Sequence, residues 1–347
     1  MTKRLCLMTL VAVLVLLGAT SAFATPAGET AGGADQVYEF RYGNQQPENH
    51  SRTVSMLWFA DELEKRTNGR IQVEVFHSGV LGTEKEMFEM VTTGALDGYR
   101  GAFYEQLNPQ FLIYNLPFLF ANYDEMKHFN ASDMAKDMLA KGSVNGYYMP
   151  AVGFTGLRAH INTERLIMLP EDLQGLKVRS PGQAPILAFY RLFGANPQEI
   201  AWSEVYLAVR QGVVDGADNS PTNILAAKLF EVAKYFTSLN YMAGADPFMV
   251  RMDWYESLPA DLQEIFNEVS VEALAYWDDL EAEASLEAIA EISSQPGVEG
   301  VDLSDYPENV EIWATAAQPL WQQFVDDGFF SWADIERAQA IIAEVRD

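Results

Sequence analysis

Glu86-Met-Phe-Glu-Met-Val91-Thr-Thr-Gly94-Ala-Leu-Asp97-Gly98 can be laid without a gap on Glu204-Val-Tyr-Leu-Ala-Val209-Arg-Gln-Gly212-Val-Val-Asp215-Gly216, with Glu, Val, Gly, Asp and Gly coincident. Each stretch reads as a helix, a glycine stop and a short apolar strand that breaks at Asp-Gly. Two such units in one chain point to two lobes of the same local topology. In open α/β sheets ligands collect beyond the carboxyl ends of strands. Residues just after each Asp-Gly are therefore expected to face a shared crevice: Tyr99, Arg100 and Phe103 from the first unit, Asp218 and Asn219 from the second. The same register sets Glu84 opposite Trp202, each at the start of its helix.

The surrounding pattern alternates strand and helix, as an α/β sheet with crossover helices requires. Val37 to Tyr42 is rich in aromatic and β-branched residues, as a strand is, and a polar loop through Asn44, Gln45 and His50 follows. Ser51 is read as the N-cap of a helix whose Met56, Phe59, Ala60 and Leu63 recur at helical spacing, with Gly69 placed to stop it. Ile71, Val73 and Val75 alternate with polar residues as in a strand, and Thr83 with Glu86 forms a capping box for the next helix. From Pro259 to Ser293 the pattern is helical with no Gly or Pro after the first residue. At 1.5 Å per residue that is roughly 50 Å, long enough to brace two lobes unless it breaks near Asp278-Asp279. A helical tail is expected from Glu308 to Val345.

The amino terminus reads as a secretory signal peptide: Lys3 and Arg4, an apolar run from Leu5 to Leu17, and the small-x-small signal Ala22-Phe23-Ala24, with cleavage after Ala24. The only cysteine, Cys6, leaves with it, so the mature chain has no thiol, disulfide or Cys-ligated metal. Residues 25–36 read as a flexible lead-in. The full sequence of 347 residues carries a formal charge of −26, and losing Lys3 and Arg4 but no acid takes the mature chain to −28. That charge repels phosphate backbones and anionic headgroups, so nucleic acid is a poor partner. With 49% hydrophobic residues the chain has the composition of a folded protein and the length of about two domains.

Catalytic signatures are missing: His50, His77, His128 and His160 show no metalloprotease spacing, and there is no G-x-S-x-G, P-loop or G-x-G-x-x-G. Dispersed carboxylates leave a glycosidase open. Against a scarcity of basic residues the arginines stand out. Arg179 ends a strand, with Ser180 and Pro181 read as N-cap and first turn of a helix, a setting suited to a carboxylate or phosphate, or else to a structural acid. Asn219 has the same setting before Ser220-Pro221 and a helix through Leu229, and either makes a turn or meets ligand. Arg158 closes a strand and is either a second anion contact or a surface ion pair. Arg100, in an apolar surround, is either a cleft cation or the partner of a buried acid. Trp202 is core packing or a cleft wall, and His50 a loop residue or a ligand contact.

Pro170-Glu-Asp-Leu-Gln-Gly-Leu-Lys-Val-Arg179, Phe193-Gly-Ala-Asn-Pro197, Trp202-Ser-Glu-Val-Tyr206 and Gln211 to Gly216 with Asn219 together resemble the solute-binding proteins of tripartite ATP-independent periplasmic (TRAP) transporters. Gly69 to Phe76, Leu81-Gly82, Gly94 to Asp97 and Leu116-Pro117-Phe118 extend the resemblance over nearly all of the mature chain. It implies an α/β, periplasmic binding protein-like fold of two lobes with a hinge and a long helix spanning both. Residues 37–156 plus about 245–280 would form lobe I, and 157–244 plus about 281–347 lobe II. It further implies a periplasmic monomer without cofactor, metal or enzymatic activity, delivering a small organic acid to membrane permease subunits. By the resemblance Arg179 pairs with the ligand carboxylate, with Arg158, Asn219, Trp202, Arg100 and Glu84 as further ligand-binding positions; His50 and Asn44, from the polar loop after the first strand, are also expected at the ligand. Ala102 stands where sialic-acid binders carry a glutamate, and Arg100 resembles the branch that includes binders of uronates and related sugar acids, with C4-dicarboxylates also in range. The alternatives are a secreted carbohydrate-active enzyme and a module that presents ligand to a membrane sensor.

Overall fold

The computed structural model describes residues 36–346, so the expected signal peptide and residues 25–35 of the lead-in lie outside the described residues. In chain order the strands are β1 (Tyr38–Gly43), β2 (Ile71–Phe76), β3 (Gly98–Tyr99), β4 (Tyr147–Tyr148), β5 (Val152–Phe154), β6 (Ala159–Asn162), β7 (Lys177–Ser180), β8 (Asn196–Glu199), β9 (Gly216–Asn219), β10 (Tyr235–Ser238), β11 (Ala245–Pro247), β12 (Met249–Arg251) and β13 (Glu299–Asp302). Helices α1 (Ser51–Arg66), α2 (Glu84–Thr93), α3 (Tyr123–Asn130) and α4 (Asp133–Gly142) belong to the first half of the chain. Then come α5 (Ala184–Leu192), α6 (Val205–Arg210), α7 (Pro221–Ala226), α8 (Met252–Ser257), α9 (Ala260–Ser293), α10 (Pro307–Ala317), α11 (Pro319–Asp326) and α12 (Trp332–Ala343).

Two sheets result, one ordered β2-β1-β3-β12-β4 and the other β13-β10-β6-β9-β7-β8. Between them a ribbon of β5 and β11, antiparallel with Ala245 opposite Phe154, carries the chain out of the first sheet and back into it. The third crossing is α9, which runs unbroken through Asp278 and Asp279 for 34 residues, about 51 Å. Its first half buries Phe266, Leu274 and Trp277 against α1 and the aromatic face of the first sheet, where Phe40 and Trp254 lie 4.4 Å apart. Its last turns bury Ile292 against the second sheet, beside Ile161, Ala217 and Phe236. Asp278 does not break the helix because its carboxyl accepts the Phe154 N–H at 3.0 Å and Asn130 Nδ2 at 2.6 Å, tying α9 to the ribbon and to α3. No described helix is long and apolar enough to cross a membrane.

The internal match has a shared hydrogen-bond pattern. Asp97 donates its N–H to the carbonyl of Arg41 in β1 and its carboxylate accepts the Arg41 N–H, both at 3.0 Å. Asp215 does the same with Lys177 in β7, at 2.8 Å in each direction. The Asp-Gly therefore opens each strand instead of ending it. Gly216 is required because a Cβ there would sit 2.3 Å from the Ile161 carbonyl oxygen of the neighbouring strand.

Several expectations are corrected in detail. His50, not Ser51, caps α1, its Nδ1 accepting the Arg52 N–H at 3.1 Å. The helix after Arg179 begins at Ala184, because Gly182 at φ 89° bends the chain past Ser180-Pro181 first. Arg158 precedes β6 instead of closing a strand. The helix after Ser220 stops at Ala226, and the carboxyl-terminal helical stretch is broken at Pro319 and again before Ser331. The last of its helices is tied to α4 through Arg337 to Asp137 at 2.8 Å, and to the turn Pro109–Asn115 through Gln110 to Asp334 at 2.7 Å.

Candidate ligand-binding site

The carboxyl ends of parallel strands from both sheets converge on one cavity of about 60 Å³. Gln46 beyond β1, Ala102 beyond β3, Gln183 beyond β7 and Asn219 at the end of β9 form its walls, and Thr155 and Ala245 of the ribbon join them. This is the position at which open α/β sheets present ligand sites.

Arg179 in β7 is held by a hydrogen bond from Nε to the Ile200 carbonyl at 2.8 Å, and its guanidinium lies 5.1 Å from the Trp202 ring centroid. Burial pushes its pKa down to about 10, with Arg158 acting in the same direction and Asp218 and Glu84 opposing, so it stays protonated at neutral pH. Among the described residues no carboxylate pairs with it, and its two Nη groups have no hydrogen-bond partner. Paired N–H donors in a plane match the two oxygens of a carboxylate.

Arg158 is also buried but is engaged: Nε pairs with Asp218, and Nη2 donates to the Asp218 carbonyl at 3.1 Å. Tyr241 donates to the same carboxylate oxygen at 2.5 Å. Burial works against the charge of Arg158, but Asp218 outweighs it and the pKa is raised. Glu84, half-buried at the first position of α2, lines the same cavity. Burial pushes its carboxyl up, while the guanidiniums of Arg52 and Arg179 pull it back toward the charged form. Gly101 makes room beside it, since a Cβ there would lie 2.8 Å from Glu84 Oε1.

Five of the eight expected residues, Arg179, Arg158, Asn219, Trp202 and Glu84, line this cavity, and three do not. Arg100 is the partner of a buried acid: Nη2 meets Asp246 at 2.7 Å, Nη1 donates to Ser55 at 3.0 Å, and the guanidinium stacks 4.0 Å from Trp277 of α9. His50 is spent on capping α1, and burial followed by the nearby Arg52 lowers its pKa to about 3. Asn44 is fully buried, its Oδ1 accepting the Gln46 N–H at 2.7 Å and so shaping the turn that places Gln46. Of Tyr99 and Phe103, Tyr99 is buried in the core and neither lines the cavity.

Sequence reading missed Arg52, which lines the cavity from the first turn of α1 and shares Asp246 with Arg100 at 3.1 Å. It also missed Gln183 and Asn223, the latter donating to Asn219 Oδ1 at 2.9 Å. The available signal was position, since all three fall within the first turn of a helix or at its cap just after a strand end. Among the described residues no group of three or more His, Cys, Asp or Glu side chains is arranged to hold a metal ion.

Residues 42–327 match the family model described as bacterial extracellular solute-binding protein, family 7. The C4-dicarboxylate-binding periplasmic protein DctP of Vibrio cholerae is 25% identical over 284 residues, covering 81% of this chain and 84% of that protein. A TRAP periplasmic solute-binding protein of Polaromonas sp. JS666, solved bound to D-erythronate, is 25% identical with a TM-score of 0.81 over 87% of this chain and 98% of its own. Another, from Sulfurospirillum deleyianum with bound succinate, is also 25% identical with a TM-score of 0.81, over 88% of this chain and 99% of its own. The two-sheet architecture and the family match over most of the sequence lead to one conclusion: the chain belongs to the DctP family of TRAP-transporter solute-binding proteins.

Proposed function

We propose that this chain is a periplasmic receptor that captures one small organic acid between its two lobes and hands it as a monomer to a membrane permease. The lobes are taken to divide near residues 156 and 245, with α9 crossing near 280. The observation that supports this is Arg179, a buried cation in the cavity wall with no protein carboxylate to pair with. A ligand carboxylate would accept from its two Nη groups, with Arg158 as the second positive neighbour and Asn219 and Trp202 closing the wall. Proteins similar to this one hold erythronate and succinate, which sets the chemical range to be tested. Glycoside hydrolysis needs two carboxylates flanking the scissile bond, whereas Glu84 alone supplies a carboxylate among the described residues of the lining.

The test is a thermal-shift screen of organic acids and neutral sugars. Ligand at 100-fold over Kd stabilises the folded state by ~2.7 kcal/mol, a measurable shift. Acids are expected to raise the melting temperature and neutral sugars to leave it in place. A screen in which no acid shifts the melt overturns the reading.

A further inference from the structure

Around the cavity four guanidiniums, of Arg52, Arg100, Arg158 and Arg179, meet three carboxylates, of Glu84, Asp218 and Asp246, leaving one positive charge unmatched. The distribution is uneven. On the side of the first sheet Arg52 and Arg100 share Asp246, and Glu84 brings that wall to neutrality. On the side of the second sheet Arg158 is matched by Asp218, and Arg179 carries the excess. Glu105, and Asp278 and Glu281 of α9, lie outside the lining, and among the described residues none of them makes an ion pair with these guanidiniums.

We infer that the ligand is a monocarboxylate bearing hydroxyl groups, and that Glu84 is the residue that selects it over dicarboxylates. This rests on the carboxylate-capture reading and deepens it. One ligand carboxylate on Arg179 closes the charge count. The remainder of the ligand then faces Glu84, together with the amides of Gln46 and Gln183 and the Thr155 hydroxyl. A carboxylate accepts hydrogen bonds from hydroxyls and repels a second carboxylate, which in a buried wall is an expensive juxtaposition. A dicarboxylate therefore binds only if Glu84 takes up a proton, and burial already moves its pKa in that direction.

Matched acids differing only in one terminal group test this: erythronate against meso-tartrate, and gluconate against glucarate, within a wider panel of mono- and dicarboxylates. Calorimetric titration at pH 7.5 is expected to find the strongest binder among hydroxylated monocarboxylates, at least tenfold tighter than its dicarboxylate counterpart. Glu84→Gln removes the repulsion while keeping an acceptor oxygen, so the ratio should shrink at least tenfold in that variant. Any dicarboxylate that does bind the unmodified protein should take up about one proton, read from the dependence of its heat on buffer ionisation enthalpy, and this uptake should vanish in Glu84→Gln. A strongest binder that is a dicarboxylate or lacks hydroxyls, or a ratio unchanged in the variant, overturns the selection by Glu84 and leaves carboxylate capture standing. A chain that binds no acid at all overturns capture itself and the selection with it.

Discussion

Arg179 and Arg100 are both buried guanidiniums, yet only Arg100 meets a protein carboxylate. Removing each should therefore do different things. Arg179→Ala and Arg179→Lys should both leave the fold intact and weaken binding, because ammonium cannot reproduce two coplanar donors. Loss of a buried charge pair costs ~2–5 kcal/mol, or roughly 30- to 4,000-fold in Kd. Calorimetry with the best acid decides it, and a lysine variant within about threefold of the parent protein would sink the planar clamp. Arg100→Ala strips Asp246 of its closest partner and Trp277 of its stacked cation, so the empty protein should lose several kcal/mol of stability in denaturant melts. An unchanged melt with weakened binding would instead make Arg100 a contributor to affinity. At this scale strand ends were legible, and they delivered Arg179 and Asn219. Arg52 and His50 were not, since one resembles a surface residue of an amphipathic helix and the other's capping role depends on a side-chain torsion.

The element with most at stake is α9, where Glu281 accepts from Ser51 of α1 at 2.5 Å and from Thr222 of α7 at 2.6 Å. One carboxyl on the brace thus joins helices that pack on different sheets. Burial raises its pKa to about 7, against an ordinary value of 4.5, with the hydroxyls and Arg52 opposing. The folded state therefore holds this proton more tightly than the unfolded chain. Its stabilising effect is complete below pH 4.5 and is lost as pH rises through 7, by about 3 kcal/mol. Glu281→Gln should remove that part of the pH dependence and make the variant more stable than the parent at pH 8. Denaturant midpoints of both proteins at pH 5 and pH 8 test this, and parallel slopes would contradict it. His50, whose pKa is lowered to about 3, acts in the other direction, with stability lost as pH falls below 6.5, and the comparison between variants removes its contribution. The continuity of α9 was legible from its lack of Gly and Pro, but its position was not. Asp278-Asp279 reads locally as a place for the helix to break, and only partners on β5, α3, α1 and α7 make Asp278 and Glu281 ties.

For the molecule as a whole, the sequence announced two α/β units through its internal match and alternating pattern. The β5–β11 ribbon and the pairing of β10 with β13 join segments far apart in the chain, and no local pattern fixes such registers. Charge also acts at this scale. The full sequence carries −26, so an approaching anion is repelled at long range and attracted only near the guanidiniums. Charges are felt over about 30 Å at 0.01 M ionic strength and about 10 Å at 0.1 M. Stopped-flow association rates for an acid ligand should accordingly rise with salt across that interval. A fall would mean that the field of the cavity reaches beyond that of the surface.

Of the seven tryptophans, Trp202 alone lines the cavity, and its indole lies beside a guanidinium whose charge a bound carboxylate would neutralise. The protein thereby carries its own optical gauge of occupancy. Filling the cavity should change the emission of one ring while the other six, Trp58, Trp254, Trp277, Trp313, Trp321 and Trp332, give a constant background. Trp202→Phe should silence the ligand-dependent emission change, and a change that persists in that variant would trace the signal to motion elsewhere in the chain.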